Sequence, residues 1–320
     1  MNMSNKPCGK PKASGSGWLS SLIFVMVAWL AAAGVAAGAS QGIAIAVTGD
    51  IHKPGAKMVS DVIVGHPEVT AVLLVGDTVN GKASPLEVYK EIYEGTYGRF
   101  IAKIFPCPGN HDQLDVPPFS GYCQFWGKAA HAPQMYYSFD LGGWHIVSLD
   151  SVNLAKGGEK ADTQLLWLKS DLAKKPKTPV LAYWHYPYFS NAKHHGMAKM
   201  KPYWDVVYAH GPALVMNGHN HIYERFAPMN PDGEKVAETR GIQEFVVGPG
   251  GASPTKEKAD DGLGPQSEKL HLGAHHVGFF TLFADGGFTY TVQSITSTGE
   301  KAVVDKGAGN LSGKPVPAGN

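Results

Sequence analysis

Residues 43–52 read Ile-Ala-Ile-Ala-Val-Thr-Gly-Asp-Ile-His, an apolar, β-branched run that ends in a small polar cluster. Similar runs recur along the chain and end at Gly76-Asp77, at Gly109–Asp112, at His185 and at Asn217–His221. Continuous apolar runs of this length are typical of strands buried on both faces. Because ligands of open α/β sheets gather beyond the carboxyl ends of the strands, we expect these polar clusters to meet there.

The segments between these runs indicate the fold class. Asp162–Lys174 has leucines at helical spacing and Asp162 as a plausible N-cap, and Lys57–Val64 and Pro202–Ala209 are weaker helix candidates. Tyr136–Asp140 and Trp144–Asp150 flank a pair of glycines, which predicts a β-hairpin. Strand–helix alternation mixed with hairpins predicts an α/β fold of two facing mixed sheets flanked by helices.

The composition limits the class of protein. Of 320 residues, 43% are hydrophobic and 17% are charged, with a formal net charge of +1. This is enough to bury a large core, and it excludes a charge-rich disordered chain. It also gives no global basic signature of nucleic-acid binding, so no nucleic-acid partner is expected. We expect one folded domain over residues 40–298 and a loose tail over residues 299–320, which are rich in Gly, Lys, Pro and Ala.

The first 39 residues resemble an export signal. Three lysines precede the apolar run Leu22–Ala39, which ends in the small-x-small pattern Ala37-Gly38-Ala39. This predicts cleavage after Ala39 and a secreted or periplasmic protein with no stable membrane association. The alternative is an uncleaved membrane anchor, because the run of 18 uncharged residues is at the short edge of what spans a bilayer.

Two of the three cysteines, Cys107 and Cys123, lie in the expected folded domain. In an oxidising compartment they could form a disulfide, and two unpaired thiols are the equal alternative. Without a Cys-x-x-Cys pair, a thiolate zinc site is not expected.

The strand-end clusters supply carboxylate, imidazole and amide groups, which suit two divalent or trivalent ions such as Fe, Zn or Mn. One expected ligand set is Asp50, His52, Asp77 and His221, and the other is Asp77, Asn110, His185 and His219. Asp77 has two oxygens and could bridge the ions. Taken singly, each residue is typical of a turn or of a core histidine, and only the complete ordered set indicates a metal site.

His111 and Asp112 follow Asn110 directly. We do not expect them to bind metal. His111 is the candidate donor of a proton to a leaving-group oxygen, and Asp112 is the candidate that orients its ring.

These blocks, in this order, resemble the calcineurin-like metallophosphoesterases over residues 43 to about 295. The resemblance implies a four-layer α/β/β/α sandwich, so that residues 40–298 would be a metallophosphoesterase domain. It also implies a dinuclear metal centre with the two ligand sets above, and His111 near the leaving group.

A closer resemblance is to the purple acid phosphatase-like branch, in Trp184–Ser190, Asn217–Phe226 and Phe245–Gly251. The chain departs from that branch at His52, where the branch often has glycine, and at Asn80, where it has a tyrosine ligand. Without that tyrosine, no phenolate-to-iron charge transfer is expected, and the metal identity stays open.

His194 and His195 lie in a short loop after His185. In the resembling branch a histidine in this region approaches the substrate phosphate, which implies a substrate-binding role for this pair. The alternative is that Lys193–Gly196 is a solvated turn.

The predicted function is hydrolysis of small phosphate monoesters by attack of a metal-bridged hydroxide on phosphorus. The alternative enzyme is a phosphodiesterase acting on nucleotides or phospholipid headgroups, since the motifs do not separate the two. A metal-binding pseudoenzyme that serves as a binding module is disfavoured, because no expected ligand is missing. The sequence does not indicate an oligomeric state.

Overall fold

The computed structural model describes residues 41–258 and 266–316. The predicted export signal, residues 1–39, lies outside the described residues. Within the described part of the chain, no helix combines the length and the apolar character needed to cross a membrane.

The strands are β1 Ile43–Thr48, β2 Ala71–Leu74, β3 Ile104–Pro106, β4 Tyr137–Leu141, β5 Trp144–Ser148, β6 Val180–Tyr183, β7 Ala213–Asn217, β8 Tyr223–Phe226, β9 Ile242–Val247, β10 Ser267–His271, β11 His275–Leu282, β12 Gly287–Ile295 and β13 Lys301–Asn310. The α-helices are α1 Gly55–Val64, α2 Leu86–Tyr93, α3 Ser120–Trp126, α4 Ser151–Lys156, α5 Glu159–Ala173 and α6 Lys201–His210. Short 3₁₀ helices cover Tyr97–Lys103, Gly127–Ala130 and Ala198–Met200.

Over the described residues, these strands form two sheets. One has the order β13-β12-β11-β1-β2-β3 and the other β10-β8-β9-β7-β6-β5-β4. Strands β1, β2 and β3 run parallel, as do β5, β6, β7 and β9. The remaining pairs, including the predicted β4–β5 hairpin, are antiparallel. Both sheets are therefore mixed, and the carboxyl ends of the parallel strands within each sheet share an edge.

Three apolar cores define the layers. The core between the sheets includes Val47 and Leu73 from one sheet and Leu181 and Phe245 from the other. A second core packs the first sheet against α1, α2 and α3, and a third packs the second sheet against α4, α5 and α6. This confirms the predicted four-layer α/β/β/α sandwich.

The predicted loose tail is wrong for residues 301–310. Residues 301–310 form β13, which pairs antiparallel with β12 from Gly287↔Asn310 to Ile295↔Lys301. The segment is short of large apolar residues, so its sequence does not look like a strand. It is ordered because Thr296–Gly299 closes a turn, with Gly299 at φ +87°, and returns the chain to the free edge of β12.

The helix predicted from Asp162 begins earlier than expected. Helix α5 starts at Glu159 after Gly158, so Asp162 lies in its first turn instead of capping it. An acidic residue there still complements the partial positive charge of the helix N-terminus. Leu168 and Leu172 are buried as expected, whereas Leu166 is 67% exposed.

Both cysteines of the folded domain are free thiols, with Cys107 buried and Cys123 half-buried. Of the two alternatives, the structure therefore shows two unpaired thiols and no disulfide between Cys107 and Cys123. Burial raises the pKa of the Cys107 thiol well above its usual value, which leaves it a small inert core side chain.

Candidate metal centre

The ends of β1 and β2 bring the first two carboxylates together. The Asp50 N–H donates to Gly76 O at 3.0 Å and the Ile51 N–H to Asp77 O at 2.9 Å, so the two loops continue the parallel pairing beyond the strands. Asp50 and Asp77 have φ values of 56° and 45°, a left-handed conformation that non-glycine residues adopt rarely. Strained backbone of this kind clusters at functional sites, where the fold holds side chains in set directions.

The two carboxylates are buried, Asp50 at 0% and Asp77 at 1% exposure. One side-chain ligand atom from each of Asp50, Asp77 and His185 lies within 4.8 Å of the others, a spacing that can hold a metal ion. The ion pairs of the two carboxylates within residues 41–258 and 266–316 are with histidines. Buried carboxylates grouped with imidazoles in this way fit a cation site, since buried charges are paired or coordinate metals.

Asp77 and His185 form a buried acid–imidazole pair at this site. His185 Nε2 lies 3.3 Å from Asp77 Oδ1 and 3.0 Å from Asn110 Oδ1. Burial lowers the pKa of His185, but the charge of Asp77 and a hydrogen bond to it raise the pKa overall, to about 9. Burial acts to raise the pKa of Asp77, and the opposing influence of His185 and His111 holds it low. Two oxygens thus converge on Nε2 of His185, and a metal ion bound to this nitrogen would take the place of a proton there.

Three histidines of the site direct Nδ1 at a backbone carbonyl oxygen. The pairs are His185 with Val75 at 3.0 Å, His221 with Ser253 at 2.8 Å and His111 with Gly81 at 2.6 Å. His52 makes the same kind of contact with the carbonyl of Lys53. Such bonds fix the tautomer and the ring direction, and they leave Nε2 for a metal or a substrate. This donor set fits the two-ion centre expected from the sequence.

The remaining expected ligands lie at the same edge. His221 Nε2 is 3.6 Å from Asp50 Oδ1, and the backbone N–H of His219 donates to both Asp50 oxygens at 3.2 and 3.1 Å. The His219 ring is 5.1 Å from that of His185, centroid to centroid. His219 has φ 68°, a third left-handed residue at this edge. The loops after β1, β2, β3, β6 and β7 therefore bring together six of the expected ligands: Asp50, Asp77, Asn110, His185, His219 and His221. His52 follows Asp50 in the first of these loops, with its Nδ1 against the Lys53 carbonyl.

Asn80 has contacts that the sequence did not predict. Its Nδ2 lies 3.0 Å from Asp77 Oδ2 and 3.0 Å from His221 Nε2. The two oxygens of Asp77 thus face different groups, with Oδ1 toward His185 and Oδ2 toward Asn80. The departure from tyrosine at this position was visible in the sequence, but its contacts were not.

Gly109 shows how closely the two ligand loops approach. A Cβ placed on it would lie 2.1 Å from Asp77 N and 2.2 Å from Asp77 Oδ1. Any side chain there would displace the backbone or the carboxylate of Asp77. The Gly-Asn-His-Asp block therefore needs its glycine for close approach to the neighbouring loop.

The predicted contact between Asp112 and the ring of His111 is wrong. Asp112 is fully buried and accepts from the N–H groups of Thr78, Val79 and Gly109 at 3.0, 3.2 and 2.8 Å, and from the hydroxyls of Thr78 and Tyr89. It faces away from the ring of His111, whose Nδ1 is held by Gly81 instead. Asp112 and His111 therefore have separate hydrogen-bond partners, although they are neighbours in sequence.

His111 keeps its position beside the centre. Its backbone N–H donates to Asp77 Oδ1 at 2.8 Å, and its Nε2 lies 3.9 Å from Asp77 Oδ2. The side chain is 34% exposed. The His111 ring therefore lies beside the Asp77 carboxylate and is open to solvent, where it could also contact a bound substrate.

His194 and His195 lie in the loop that follows His185. The exposed ring of His194 is 5.5 Å from the ring of His219, and Asn220 Nδ2 donates to His195 O at 3.0 Å. Tyr186, which the sequence did not single out, packs its ring edge-on against His219 at 4.7 Å. The rings of His194 and Tyr186 therefore flank that of His219, and His195 is tied to the same turn through its backbone.

A family profile for calcineurin-like phosphoesterase matches residues 43–223, which covers β1 to the start of β8. The chain is similar to purple acid phosphatase 15 of Arabidopsis thaliana, with 29% identity over 219 residues that cover 57% of this chain and 40% of the relative. It spans less than half the length of that relative. The resemblance to this branch is confirmed at the level of sequence similarity.

Two solved structures have a similar fold. A purple acid phosphatase from yellow lupin seeds matches with a TM-score of 0.64 and 18% identity, over 84% of this chain and 54% of that one. GAP50, described as the anchor in the inner membrane complex of Plasmodium, matches with a TM-score of 0.65 and 14% identity, over 87% and 90%. At these identities the matches bear on the fold alone.

Proposed function

Because the chain belongs to the calcineurin-like phosphoesterase family, we propose that it hydrolyses small phosphate monoesters at a centre that holds two metal ions. One observation carries the proposal: the two oxygens of Asp77 face two separate groups of donors, with His185 3.3 Å from Oδ1 and Asn80 3.0 Å from Oδ2. A carboxylate placed in this way can serve two ions at once. The ions would be held by Asp50, His52, Asp77 and His221, and by Asp77, Asn110, His185 and His219.

The bound ions would supply positive charge for the phosphate and an activated water. His52, His185 and His221 would bind as neutral rings through Nε2, because backbone carbonyls hold their Nδ1 side. Asp50 is fixed by the backbone N–H of His219, so it needs little rearrangement to bind. The preorganised loops therefore lower the entropic cost of assembling the site.

His111 supplies the proton for the leaving group in this proposal. The Gly81 carbonyl holds its Nδ1 side, which turns Nε2 toward the space beside Asp77. A protonated Nε2 there donates to the leaving-group oxygen as the ester bond breaks. His194 and His195 bind the phosphate oxygens, and Tyr186 excludes water from one side.

We also propose that the protein is exported to a secreted or periplasmic location, on the basis of the lysines and the apolar run before Ala39. Comparison of the N-terminal residue of the mature protein with that of the full chain tests this. A mature protein that starts at residue 40 supports export, and one that retains residues 1–39 supports the anchor.

The central experiment compares turnover of an aryl phosphate monoester with that of the matching diester. Residues 40–320 are supplied with Mn²⁺, Zn²⁺ or iron, and Asp77→Asn is the matched control. We expect monoester hydrolysis that falls at least ~1,000-fold in Asp77→Asn, since one carboxylate serves both ions. Hydrolysis of the diester alone would replace the proposed activity with a phosphodiesterase. Near-normal turnover in Asp77→Asn would overturn the two-ion proposal.

A further inference from the structure

The histidine loop, residues 186–197, has no helix and no named strand. It has one β-bridge, between Ala192 and Lys258, and two backbone hydrogen bonds within the loop, from His195 N to Ala192 O and from Met197 N to Pro187 O, both at 2.8 Å. A segment of this kind leaves backbone donors that need acceptors, and its position is only as fixed as those acceptors. The loop carries His194 and His195, so what holds it also sets where these histidines lie.

Two fully buried glutamates accept hydrogen bonds from this loop. Glu244 accepts from the N–H groups of Tyr188 at 2.9 Å and Phe189 at 3.2 Å. Glu224 accepts from Ser190 Oγ at 3.1 Å, from Asn191 N at 2.9 Å and from Asn191 Nδ2 at 2.7 Å. These donors are neutral and come from four consecutive residues of the loop.

The glutamates stand where the pattern of the sheet calls for apolar residues. Glu224 lies in β8 opposite Val246 of β9, and Glu244 is two residues before Val246, so both point to the same face. Their neighbours on that face, Phe226 and Val246, belong to the outer apolar core. Burial raises the pKa of both carboxyls. A carboxyl group in such a position is stable only because its hydrogen bonds are made. Here the loop supplies them through residues 188–191, and Glu224 has one further side-chain hydrogen bond with Ser267 of β10.

The far end of the loop is attached to the metal centre. Asn220, fully buried between His219 and His221, donates its Nδ2–H to His195 O at 3.0 Å. The loop is therefore held at its start by the two glutamates and near its end by the turn that carries two expected metal ligands. Between these attachments its freedom is small, although it lacks regular structure.

We propose that Glu224, together with Glu244, is a positioning residue that holds the histidine loop so that His194 and His195 meet the substrate phosphate. Glu224 contacts neither the metal ligands nor the substrate and acts through Ser190 and Asn191. The claim about the substrate phosphate rests on the proposed phosphatase function. The claim that Glu224 and Glu244 hold the loop in place rests only on the hydrogen bonds.

The test is Glu224→Gln, which keeps the shape but turns one acceptor into an NH₂ that faces the donors of the loop. The matched control is Glu257→Gln, which removes the exposed pair between Lys193 Nζ and Glu257, 2.8 Å apart, from the same loop. In Glu224→Gln we expect amide hydrogen exchange of residues 188–195 to rise ~10-fold or more. We expect KM for the aryl phosphate to rise ~10-fold, with kcat within ~3-fold and metal content unchanged. The control should behave as the wild type.

Unchanged exchange or an unchanged KM in folded Glu224→Gln would overturn the proposal. So would a loss of bound metal in step with activity, because Glu224 would then support the metal centre. If Glu224→Gln does not fold, Ser190→Ala decides, with an expected rise of ~3-fold in exchange and in KM. An inactive wild-type protein would overturn the proposed function, and the exchange comparison would still decide whether Glu224 fastens the loop.

Discussion

Two irregular loops meet at the site, residues 108–112 after β3 and the histidine loop after β6, and both are held by buried carboxylates that accept neutral donors. They differ in where the carboxylate stands. Asp112 lies within its own loop and reaches across to Thr78 and Val79 of the neighbouring loop. Glu224 and Glu244 stand on strands and hold the histidine loop from behind.

This difference separates two tasks. Asp112 joins the loop that carries Asp77 to the loop that carries Asn110, so its loss should disturb metal binding. The two glutamates bind the backbone of the loop expected to meet the substrate, so their loss should disturb substrate binding. Similar chemistry, a buried acceptor facing N–H donors, thus supports different functions according to which segments it connects.

Among the variants that test this contrast, Asp112→Asn is expected to have the largest effect on stability and metal binding. The new NH₂ must face at least one of the N–H groups that Asp112 now accepts, which leaves a buried donor unpaired at a cost of about 3 kcal/mol or more. Because the two ligand loops would separate, we expect metal affinity to fall by ~10–100-fold. Metal titration and urea unfolding measure the two effects. If Asp112→Asn is destabilised but keeps its full metal affinity, Asp112 does not support metal binding, and the proposed difference from Glu224 is wrong.

Asp150 is a buried carboxyl group outside the metal centre, and it provides a test of how stability depends on pH. It caps α4 through Asn153 N at 3.0 Å, and burial raises its pKa to about 6 from 3.8. Because its pKa is raised in the folded protein, the Asp150 carboxyl binds its proton more tightly there than in the unfolded chain. The resulting contribution to the free energy of unfolding is complete below about pH 3.8 and is lost as pH rises through about 6. The loss amounts to about 3 kcal/mol. Urea unfolding from pH 4 to 7 should show it in the wild type but not in Asp150→Asn.

The exposed Asp162 provides the control for that experiment, since Asp162→Asn changes the same group outside the core. The wild type and Asp162→Asn should lose stability in parallel over this pH range. A wild-type stability that rises with pH over the interval, relative to Asp150→Asn, would mean that the folded carboxyl is ionised.

His111→Ala separates the chemistry of the loop at residues 108–112 from its scaffolding. Poor leaving groups need a proton and good ones do not, so we expect alkyl phosphate hydrolysis to fall ~100-fold and nitrophenyl phosphate hydrolysis only a few-fold. The measurement is kcat/KM across a leaving-group series. An equal fall for every substrate would remove His111 from proton donation.

The smallest expected effect comes from Tyr89→Phe, which removes one of the donors to Asp112, 2.6 Å from Oδ1. A hydrogen bond to a carboxylate contributes about 1.5 kcal/mol, and the other donors of Asp112 remain. We expect lower stability in urea, with metal affinity and kcat/KM within ~2-fold of the wild type. A large loss of metal would mean that the two ligand loops are joined mainly through this hydroxyl.

The sequence predicted the fold class and the positions of the expected ligands, because both depend on local pattern. Strands buried on both faces read as apolar runs, and their ends carry the polar residues that meet at one edge. The order from Asp50 to His221 therefore sufficed to place these residues near one another.

Contacts between segments could not be predicted in the same way. Asp112 follows His111, and sequence adjacency suggested a contact between them, whereas Asp112 accepts from Thr78 and Gly109 and His111 is held by Gly81. Glu224 and Glu244 read as polar residues in strands, and nothing in the sequence shows that they accept from a loop 33 or more residues away. Strand β13 was missed because its pairing with β12, and not its own residues, makes it a strand.

Strand β13 also governs how one molecule meets another. It is the outermost strand of its sheet, and Lys301, Asp305 and Lys306 place charges along it. Charged residues on an outer strand discourage a second copy from adding its own strand there. A protein shortened to residue 300 would expose β12 in its place, with a row of unpaired backbone groups above buried Phe288 and Val292. Such a truncated protein would be prone to aggregate, although every residue of the site would remain.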